Sequence, residues 1–470
     1  MNLDLYSTQA GSNNTVSKKC PIMQGWPLVG VAPELIFDTI GLFNRTAQRY
    51  PGELVVLKLG LTKIYLFSHP DDVEYVFSTN SQNFENGGAR EGSPFADVKR
   101  VFGNSLPMNE TETWARNRRL LQPSFMPKKV AVLAEQMILA IAEVLPRLEQ
   151  AATQPSVNIG AEMILIVQNV LTRTIFGTIL PQDAQQAAKA AKAINAVFEQ
   201  FQFRLFLSIL PKYLPKPGDQ AFRRNIDTIH NTVLAIIRDR RASGKLGNDL
   251  LSLLLQAQDE ETKTGMDDQQ LLDECTGLFI AGQETSATSL SWFWYLLAQH
   301  PEIEEKLRAE VDTVLGNRLP TPADMPQLQY CRMVMQEFMR LYPPIWGLPR
   351  VTIADDALRG YSIAAGSFLI GNTFLTHRLP EFWENPEVFD PERFAPERSK
   401  QRHRYAYWPF GGGRRHCIGE HFAMMSMQLI VIMMLQRWRL RCVPNHPVVP
   451  KAHSFVLATK HGISMTLQPV

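Results

Sequence analysis

The stretch Phe410-Gly-Gly-Gly-Arg-Arg-His-Cys-Ile-Gly419 decides the fold, and an apolar helical pattern follows it at once. Its three consecutive glycines allow a tight loop to pass close to a flat object. Cys417 lies at the mouth of the helix, where unpaired N–H groups and the helix dipole stabilise a thiolate. The planar guanidinium group of Arg415 can donate two hydrogen bonds to a carboxylate. Gly419 is expected to let the helix lie close against its neighbour.

Two other interpretations of Cys417 stay open on these local residues. The cysteine could be a buried structural residue that follows a glycine-rich turn. It could also bind zinc together with His416 and His421, although no second cysteine lies nearby.

The full string favours a haem ligand over these alternatives, because it resembles the haem-binding loop of the cytochrome P-450 family at every fixed position. Those positions are Phe410, Gly413, Arg415, Cys417 and Gly419. The resemblance implies a mainly α fold with minor β (α+β), a triangular single-domain helical globule with a small strand-rich lobe. It also implies haem b (iron protoporphyrin IX), with Cys417 as the axial ligand of the haem iron.

A second motif, Ala281-Gly-Gln-Glu-Thr-Ser286, lies within a long helical pattern. Ala281 and Gly282 are four and three residues before Thr285, so all three share a helix face. Gly282 is expected to leave room for a diatomic ligand, and the Thr285 hydroxyl can hold water or bond the preceding turn. A polar kink in a core helix is the local alternative. The family resemblance implies that Glu284 and Thr285 are the acid–alcohol pair of oxygen activation.

A third motif is Glu337-Phe-Met-Arg340, whose charged residues face one another on a helix. By default such a pair is an exposed ion pair that contributes little. The resemblance implies instead a buried triad, which Arg393 of Pro391-Glu-Arg-Phe394 completes.

A fourth element, Trp114-Ala-Arg-Asn-Arg118, resembles the family's Trp-x-x-x-Arg helix, which bonds a haem propionate. Arg350 matches another propionate-binding position. Together with Arg415, Arg118 and Arg350 would compensate two carboxylates in a pocket of low dielectric. Taken one at a time, each arginine could equally be an ordinary solvated side chain.

Composition and periodicity limit the other possibilities. The 470 residues are 45% hydrophobic and 20% charged, with a net charge of +2, which excludes a strongly basic nucleic-acid binder. The five cysteines have no disulfide or zinc-ribbon spacing, which indicates a reducing, cytoplasmic setting. We expect a polar N-terminal segment over 1–25, partly disordered, a single catalytic domain over 26–470, and no transmembrane anchor.

Periodicity and turn residues predict several elements. They are a hairpin of Leu54–Leu59 with Ile64–Phe67, a long helix from a Thr264–Asp267 capping box to His300, and helices at Leu328–Leu341 and Ile418–Trp438.

The resemblance implies a soluble, bacterial-type haem-thiolate monooxygenase. Such an enzyme inserts one oxygen atom of O2 into a C–H or C=C bond of a lipophilic molecule such as a fatty acid or terpenoid. The two electrons come indirectly from NAD(P)H, through a ferredoxin or flavodoxin and its reductase. We expect a basic docking patch for the carrier, formed by Arg116, Arg119, Lys128, Lys129 and Arg414.

Two other functions are weighed against this one. A peroxygenase or isomerase of the same family would have a disrupted acid–alcohol pair, and Glu284-Thr285 is intact. A non-catalytic haem sensor would need an output domain, and none is visible.

The substrate itself is not fixed by the sequence, but the resemblance implies which segments form the pocket walls. The wall residues expected are Phe95, Phe102, Phe206, Phe279, Ile345, Trp346, Phe455 and Val456, with Phe198, Phe201, Phe203, Leu278 and Leu348 in the same segments.

Overall fold

A computed structural model describes residues 18–87, 96–177, 192–194, 196–197, 200, 217–244, 246–453 and 456–470. The described chain is mainly helical and has short strands in small sheets, so the predicted α+β fold class is confirmed.

The helices of the described residues vary in length from a single turn to more than eight turns. In chain order they are α1 Ala32–Phe37, α2 Thr39–Arg49, α3 Pro70–Glu74, α4 Ala96–Phe102, α5 Thr111–Leu121, α6 Pro127–Ala151, α7 Ile159–Phe176, α8 Asp219–Ser243, α9 Leu250–Gln256, α10 Asp268–Gln299, α11 Pro301–Leu315, α12 Gln329–Leu341, α13 Thr373–Thr376, α14 Pro396–Ser399 and α15 Glu420–Leu435.

The strands are short and fall mainly near the two ends of the chain. They are β1 Val55–Leu59, β2 Thr62–Phe67, β3 Phe84–Asn86, β4 Val157–Asn158, β5 Gly347–Thr352, β6 Asp356–Leu358, β7 Tyr361–Ile363, β8 Phe368–Asn372, β9 Trp438–Cys442, β10 Pro450–His453, β11 Val456–Thr459 and β12 Ser464–Pro469.

The largest sheet has the order β1-β2-β8-β5-β3, with β2 and β8 parallel and its other neighbours antiparallel. A second sheet has the order β4-β12-β9, and two hairpins pair β6 with β7 and β10 with β11. The segment 18–25 contacts two of these sheets, since Lys18 bridges to Tyr361 of the β6–β7 hairpin and Ile22 bridges to Val56 of the largest sheet.

The long helix α10 forms the centre of the helical part, because α4, α7, α8, α11, α12 and α15 all pack against it. A helix that contacts neighbours on all sides needs apolar or small residues all round, and most of α10 is buried. The strand-rich part has two smaller cores of its own, one around Phe43 and Trp346 and the other around Phe67 and Trp408.

The structure corrects three predicted boundaries. The hairpin turn is shorter than expected, because β2 already begins at Thr62. The N-cap of α10 is Asp267, which accepts from the Gln270 N–H at 2.7 Å, so the expected capping box at Thr264 does not form. The helix after the cysteine loop ends at Leu435, and Trp438 opens β9 instead.

Within the described ranges, α7 alone is long and apolar enough, by length and composition, to cross a membrane. In the protein 61% of that helix is buried, since it packs against α6 and α10. This makes it weak evidence for a membrane span.

Candidate active site

The glycine loop before Cys417 is held against the segment around Phe77. Gly411 and Gly413 have φ angles of +74° and +61°, a region that favours glycine. A Cβ at Gly413 would lie 1.7 Å from the Phe77 carbonyl oxygen, so no other residue fits there. The Cys417 N–H donates to the Phe410 carbonyl at 2.9 Å and closes the loop.

The Cys417 side chain is accessible to solvent, although the surrounding protein desolvates its thiol. These two facts agree if the sulfur faces an internal space. Burial raises the pKa of the thiol, while the Gly419 and Glu420 N–H groups and the Arg118 charge act in the opposite direction. The two N–H groups act in the direction that we expected of the helix mouth, and burial outweighs them as long as no further positive charge lies at the sulfur.

Gly419 has a different role from the one predicted. Among the described residues, a Cβ at this position would have the Cys417 Sγ, at 3.9 Å, as its only neighbour within 4 Å. No adjacent helix in this part of the structure approaches closely enough to need a glycine. The missing side chain instead leaves space open beside the sulfur.

One face of α10 is also accessible in the middle of this otherwise buried helix. The residues of this face with solvent-accessible surface recur three or four positions apart, and they are Leu278, Ala281, Gly282, Thr285 and Thr288. This spacing defines a continuous stripe along the helix. The stripe contains the predicted oxygen-activation motif, and Thr288, which sequence reasoning missed, extends it by one turn.

Within the motif, the Thr285 Oγ1 donates to the Ala281 carbonyl at 2.6 Å, one turn back. Glu284 is partly buried, and desolvation raises the pKa of its carboxyl, which favours the protonated acid. A Cβ at Gly282 would lie 2.9 Å from Leu171 Cδ2. This atom is the end of a flexible side chain, so the glycine eases the packing of α10 on α7. Gly282 also keeps accessible surface on the stripe, and the space for a diatomic ligand stays a prediction.

Arg350 is a buried cation with no carboxylate partner among the described residues. It is 7% exposed, its Nη1 donates to the Pro349 carbonyl at 2.7 Å, and its guanidinium lies 4.3 Å from the centroid of the Phe77 ring. Burial, followed by repulsion from Arg415, lowers its pKa to about 9. A bound carboxylate would compensate this charge.

Arg118 is likewise partly buried and without an ion pair in the described part of the chain. Its Nη1 donates to the His416 carbonyl at 2.9 Å and its Nε to Gln122 Oε1 at 3.0 Å. Burial lowers its pKa, and the charge that would form on Cys417 opposes that shift. Arg118 therefore joins α5 directly to the cysteine loop.

Arg415 differs from these two because it already has a carboxylate partner. Its Nη2 donates to Glu110 Oε2 at 2.5 Å, and its guanidinium lies 4.9 Å from the centroid of the Trp114 ring. Glu110 also accepts from the Asn86 N–H at 2.8 Å. Sequence reasoning missed Glu110, and its place four residues before Trp114 is the signal that could have indicated it.

The structure brings Glu337, Arg340 and Arg393 together in the interior. Arg340 donates to Glu337 through Nε at 2.7 Å and Nη2 at 2.8 Å, and Arg393 Nε lies 3.3 Å from Glu337 Oε1. Both Glu337 and Arg340 are fully buried. Arg340 also donates to the Pro386 and Val388 carbonyls, so the triad joins α12 to the segment that precedes the cysteine loop.

The predicted wall residues divide into three groups. Phe102, Leu278, Ile345 and Leu348 are partly accessible, and Val456 pairs with Ile345 in a bridge. Trp346 is not a wall residue, because it is buried in the strand-rich part 4.9 Å from the Phe43 ring, and Phe279 packs in the helical core near Phe176. Other predicted residues lie outside the described ranges, and they are Phe95, Phe198, Phe201, Phe203, Phe206 and Phe455.

These residues fit a flat, doubly carboxylated iron cofactor. A cysteine sulfur is accessible, a glycine loop leaves room beside it, and the buried Arg350 and the partly buried Arg118 have no carboxylate partner in the described part of the chain. The local alternatives have less support. A purely structural cysteine would not be accessible, and no three His, Cys, Asp or Glu residues cluster to hold a metal within the ranges described.

Comparison with known proteins decides the family, since the model for "Cytochrome P450" matches residues 21–466 of the chain. The chain belongs to the cytochrome P450 family. It is a P450 monooxygenase, an oxidoreductase, and membership of the family implies haem and O2. P450s of the bacterial type use redox partners.

Two bacterial P450 relatives are similar over almost the whole chain. Cyclooctat-9-en-7-ol 5-monooxygenase of Streptomyces melanosporofaciens is 34% identical over 93% of this chain and 95% of the relative. Pentalenene oxygenase of Streptomyces avermitilis is 31% identical over 91% of this chain and 92% of the relative.

Solved P450 structures show the same fold. The crystal structure of the cytochrome P450DA heme domain has a TM-score of 0.87 at 23% identity, over 96% of this chain and 98% of that chain. Retinoic acid bound cyanobacterial CYP120A1 has a TM-score of 0.83 at 23% identity, over 97% of this chain and 100% of that chain.

Proposed function

We propose that this P450 inserts one oxygen atom of O2 into a C–H or C=C bond of a terpenoid. The accessible Cys417 sulfur beneath a glycine loop is the observation that carries the haem-thiolate assignment. The terpenoid class is supported by two relatives whose names state oxidation of cyclooctat-9-en-7-ol and of pentalenene. Partly accessible apolar side chains at Phe102, Leu278 and Ile345 suit such a molecule.

In this proposal, haem b would be held by Cys417 as iron ligand and by Arg118 and Arg350 as partners of its carboxylates. When bound, the haem supplies the oxygen-activating chemistry, which a thiolate ligand favours. Cys417 would then hold its thiolate charge next to a metal cation, which would offset the cost that burial imposes on that charge. Trp114 and Phe410 complete the frame around the group.

The protein's own contribution to proton delivery would come from α10. The Glu284 carboxyl can hold a proton near neutral pH more easily than an exposed glutamate, because desolvation raises its pKa. The Thr285 hydroxyl lies on the accessible stripe and can exchange its bond to the Ala281 carbonyl for one to water. Burial of the rest of α10 excludes bulk water from the two residues.

Electrons would come from a ferredoxin or flavodoxin, and the structure changes the predicted docking surface. Arg119 is not free, since its Nε lies 3.1 Å from Asp259 and its Nη2 lies 2.9 Å from Glu261. Arg116 bonds Gln270, Thr264 and the Gly265 carbonyl. Lys128, Lys129 and Arg414 are exposed, and these three would form the carrier surface.

Two measurements test the proposal. Reduced protein with carbon monoxide should give the red-shifted Soret band of a haem-thiolate protein, lost in Cys417→Ala and kept in the control Cys442→Ala. Purified protein with a ferredoxin, its reductase, NADPH and cyclic terpene hydrocarbons should then give hydroxylated or epoxidised products. A normal band in Cys417→Ala would contradict the ligand assignment. Product formation from hydrogen peroxide alone, at an undiminished rate, would favour the peroxygenase alternative.

A further inference from the structure

A cavity of about 540 Å³ is lined by residues of the cysteine loop, α6, α12 and the first half of α15. Its apolar walls are methionine and aromatic side chains, namely Met325, Met339, Met424, Met425, Tyr407 and Phe410. Methionine side chains adapt to ligands of different shape, and the volume suits a small molecule. Apart from Phe410, these residues have no part in the function proposed above.

Two buried polar groups in this cavity wall lack partners. Tyr405 and Trp408 both line the cavity and are each only 3% exposed. The Tyr405 Oη and the Trp408 Nε1 have no hydrogen-bond partner among the described residues. These two atoms are themselves closed off from solvent, so a ligand in the open cavity would not reach them without a side-chain rearrangement. Recognition of a polar ligand group therefore depends on the charged residues of the wall.

The uncompensated charge around the cavity is positive. Arg332 and Arg404 line it, are exposed, and form no ion pair in the part of the chain that the structure describes. The acidic side chain of the wall, Glu420, is already engaged by His416, whose Nε2 lies 2.6 Å from Glu420 Oε2. The cavity therefore favours a ligand that combines an apolar body with an anionic oxygen group.

We propose that this cavity is a binding site for an apolar carboxylate. The apolar part packs on the methionines and aromatic rings, and the carboxylate pairs with Arg332, while Arg404 adds to the positive charge of the wall. The site is separate from the substrate proposal, because it shares no residue with the accessible face of α10.

Dodecanoate is the probe that tests the site. The holoenzyme is first saturated with 4-phenylimidazole, which binds the haem iron and blocks the substrate pocket. Dodecanoate is then titrated by calorimetry. We expect one remaining site in the wild type, and binding at least tenfold weaker in Arg332→Glu and for dodecanol in place of dodecanoate. The remote, exposed Lys63→Glu variant is the control and should bind as the wild type does.

Filling the cavity gives the second arm of the test. Met425→Trp and Gln336→Trp place bulk in the cavity from two different helices, so one well-folded variant suffices. Loss of dodecanoate binding in the folded variant supports the site. Absence of a site in the wild type, equal binding of dodecanol, or unchanged binding in a filled variant overturns the proposal. The carbon monoxide spectrum reports the haem-thiolate assignment independently of these outcomes.

Discussion

The Arg415 guanidinium is held by Glu110, whose Oε2 accepts from Arg415 Nη2 at 2.5 Å. Glu110 also accepts from the Asn86 N–H in β3, so one carboxylate joins the sheet, the start of α5 and the cysteine loop. This arrangement places a protein carboxylate beside an arginine that the family resemblance assigns to a haem propionate. Glu110 and a haem propionate would therefore compete for the same arginine.

Glu110→Ala should destabilise the apoprotein by about 1–3 kcal/mol, because two donors lose their acceptor. The holoprotein should lose less, since a propionate can take over Arg415. Thermal unfolding of the apo and holo forms measures both losses. Glu112→Ala, two residues along the same helix and exposed, is the matched control. Equal destabilisation of both forms would show that Arg415 does not exchange partners.

Thr285→Ala should preserve haem and substrate binding but slow product formation by about 10²–10⁴-fold, the usual contribution of general acid catalysis. Reductant consumption should continue, with the electrons recovered as hydrogen peroxide. Product formed per NADPH consumed is the measurement. Thr288→Ala, one turn further along the same accessible stripe, is the control, and Thr285→Ser should restore coupling. An undiminished ratio in Thr285→Ala would remove this hydroxyl from proton delivery.

Glu337→Ala should prevent accumulation of folded, haem-loaded protein. It strands Arg340 as an unpaired charge in the interior, a loss of about 3–5 kcal/mol against a typical stability of about 5–15 kcal/mol. Soluble yield and haem content after expression are the measurements. Glu387→Ala removes the exposed partner of Arg378 and should cost no more than about 1 kcal/mol. A soluble Glu337→Ala protein with full haem content would contradict the prediction.

Some parts of the site could be derived from the sequence and others could not. The loop, the long helix and the Glu337 motif are local patterns with fixed spacing, so the sequence contains them whole. Glu110 escaped notice because its partner is 305 residues away, and its spacing of four residues from Trp114 is a weak local signal for a partly buried glutamate. Trp346 was misassigned for the same reason, since strand pairing turns it towards Phe43 and away from the presumed pocket. Long-range contacts decide such residues.

Stability should fall as pH rises towards 7, and Glu274 is the expected cause. This residue of α10 accepts from the Leu106 N–H at 2.9 Å and Asn117 Nδ2 at 3.0 Å. Burial raises its pKa to about 7, with a smaller contribution from Asp273, so the folded state binds the proton more tightly than the unfolded state. Proton binding by Glu274 therefore stabilises the folded state at low pH, by up to about 3 kcal/mol, and this stabilisation is lost between about pH 4.5 and 7.

Glu274→Gln should flatten that pH dependence, because the replacement cannot ionise. Denaturant unfolding of both proteins between pH 5 and 8 provides the comparison, and Glu302→Gln, an exposed residue of α11, serves as the control. The difference in free energy of unfolding between the wild type and Glu274→Gln should change by about 1 kcal/mol or more across this range, because the pKa of Glu274 is raised in the folded state. Parallel curves would show that Glu274 keeps one protonation state throughout.

Reduction by a ferredoxin should depend on Lys128, Lys129 and Arg414 and not on Arg119. The first three are exposed, whereas Arg119 is occupied by Asp259 and Glu261 and adds little net charge to the surface. Charge reversal in Lys128→Glu/Arg414→Glu should lower the second-order rate at low salt by about tenfold or more and flatten its dependence on ionic strength. Stopped-flow reduction against salt concentration measures both effects. Arg119→Gln and the remote Lys63→Glu should follow the wild-type curve. If the double variant also follows that curve, the carrier docks elsewhere, because a surface that steers an acidic partner cannot lose its charge without losing rate.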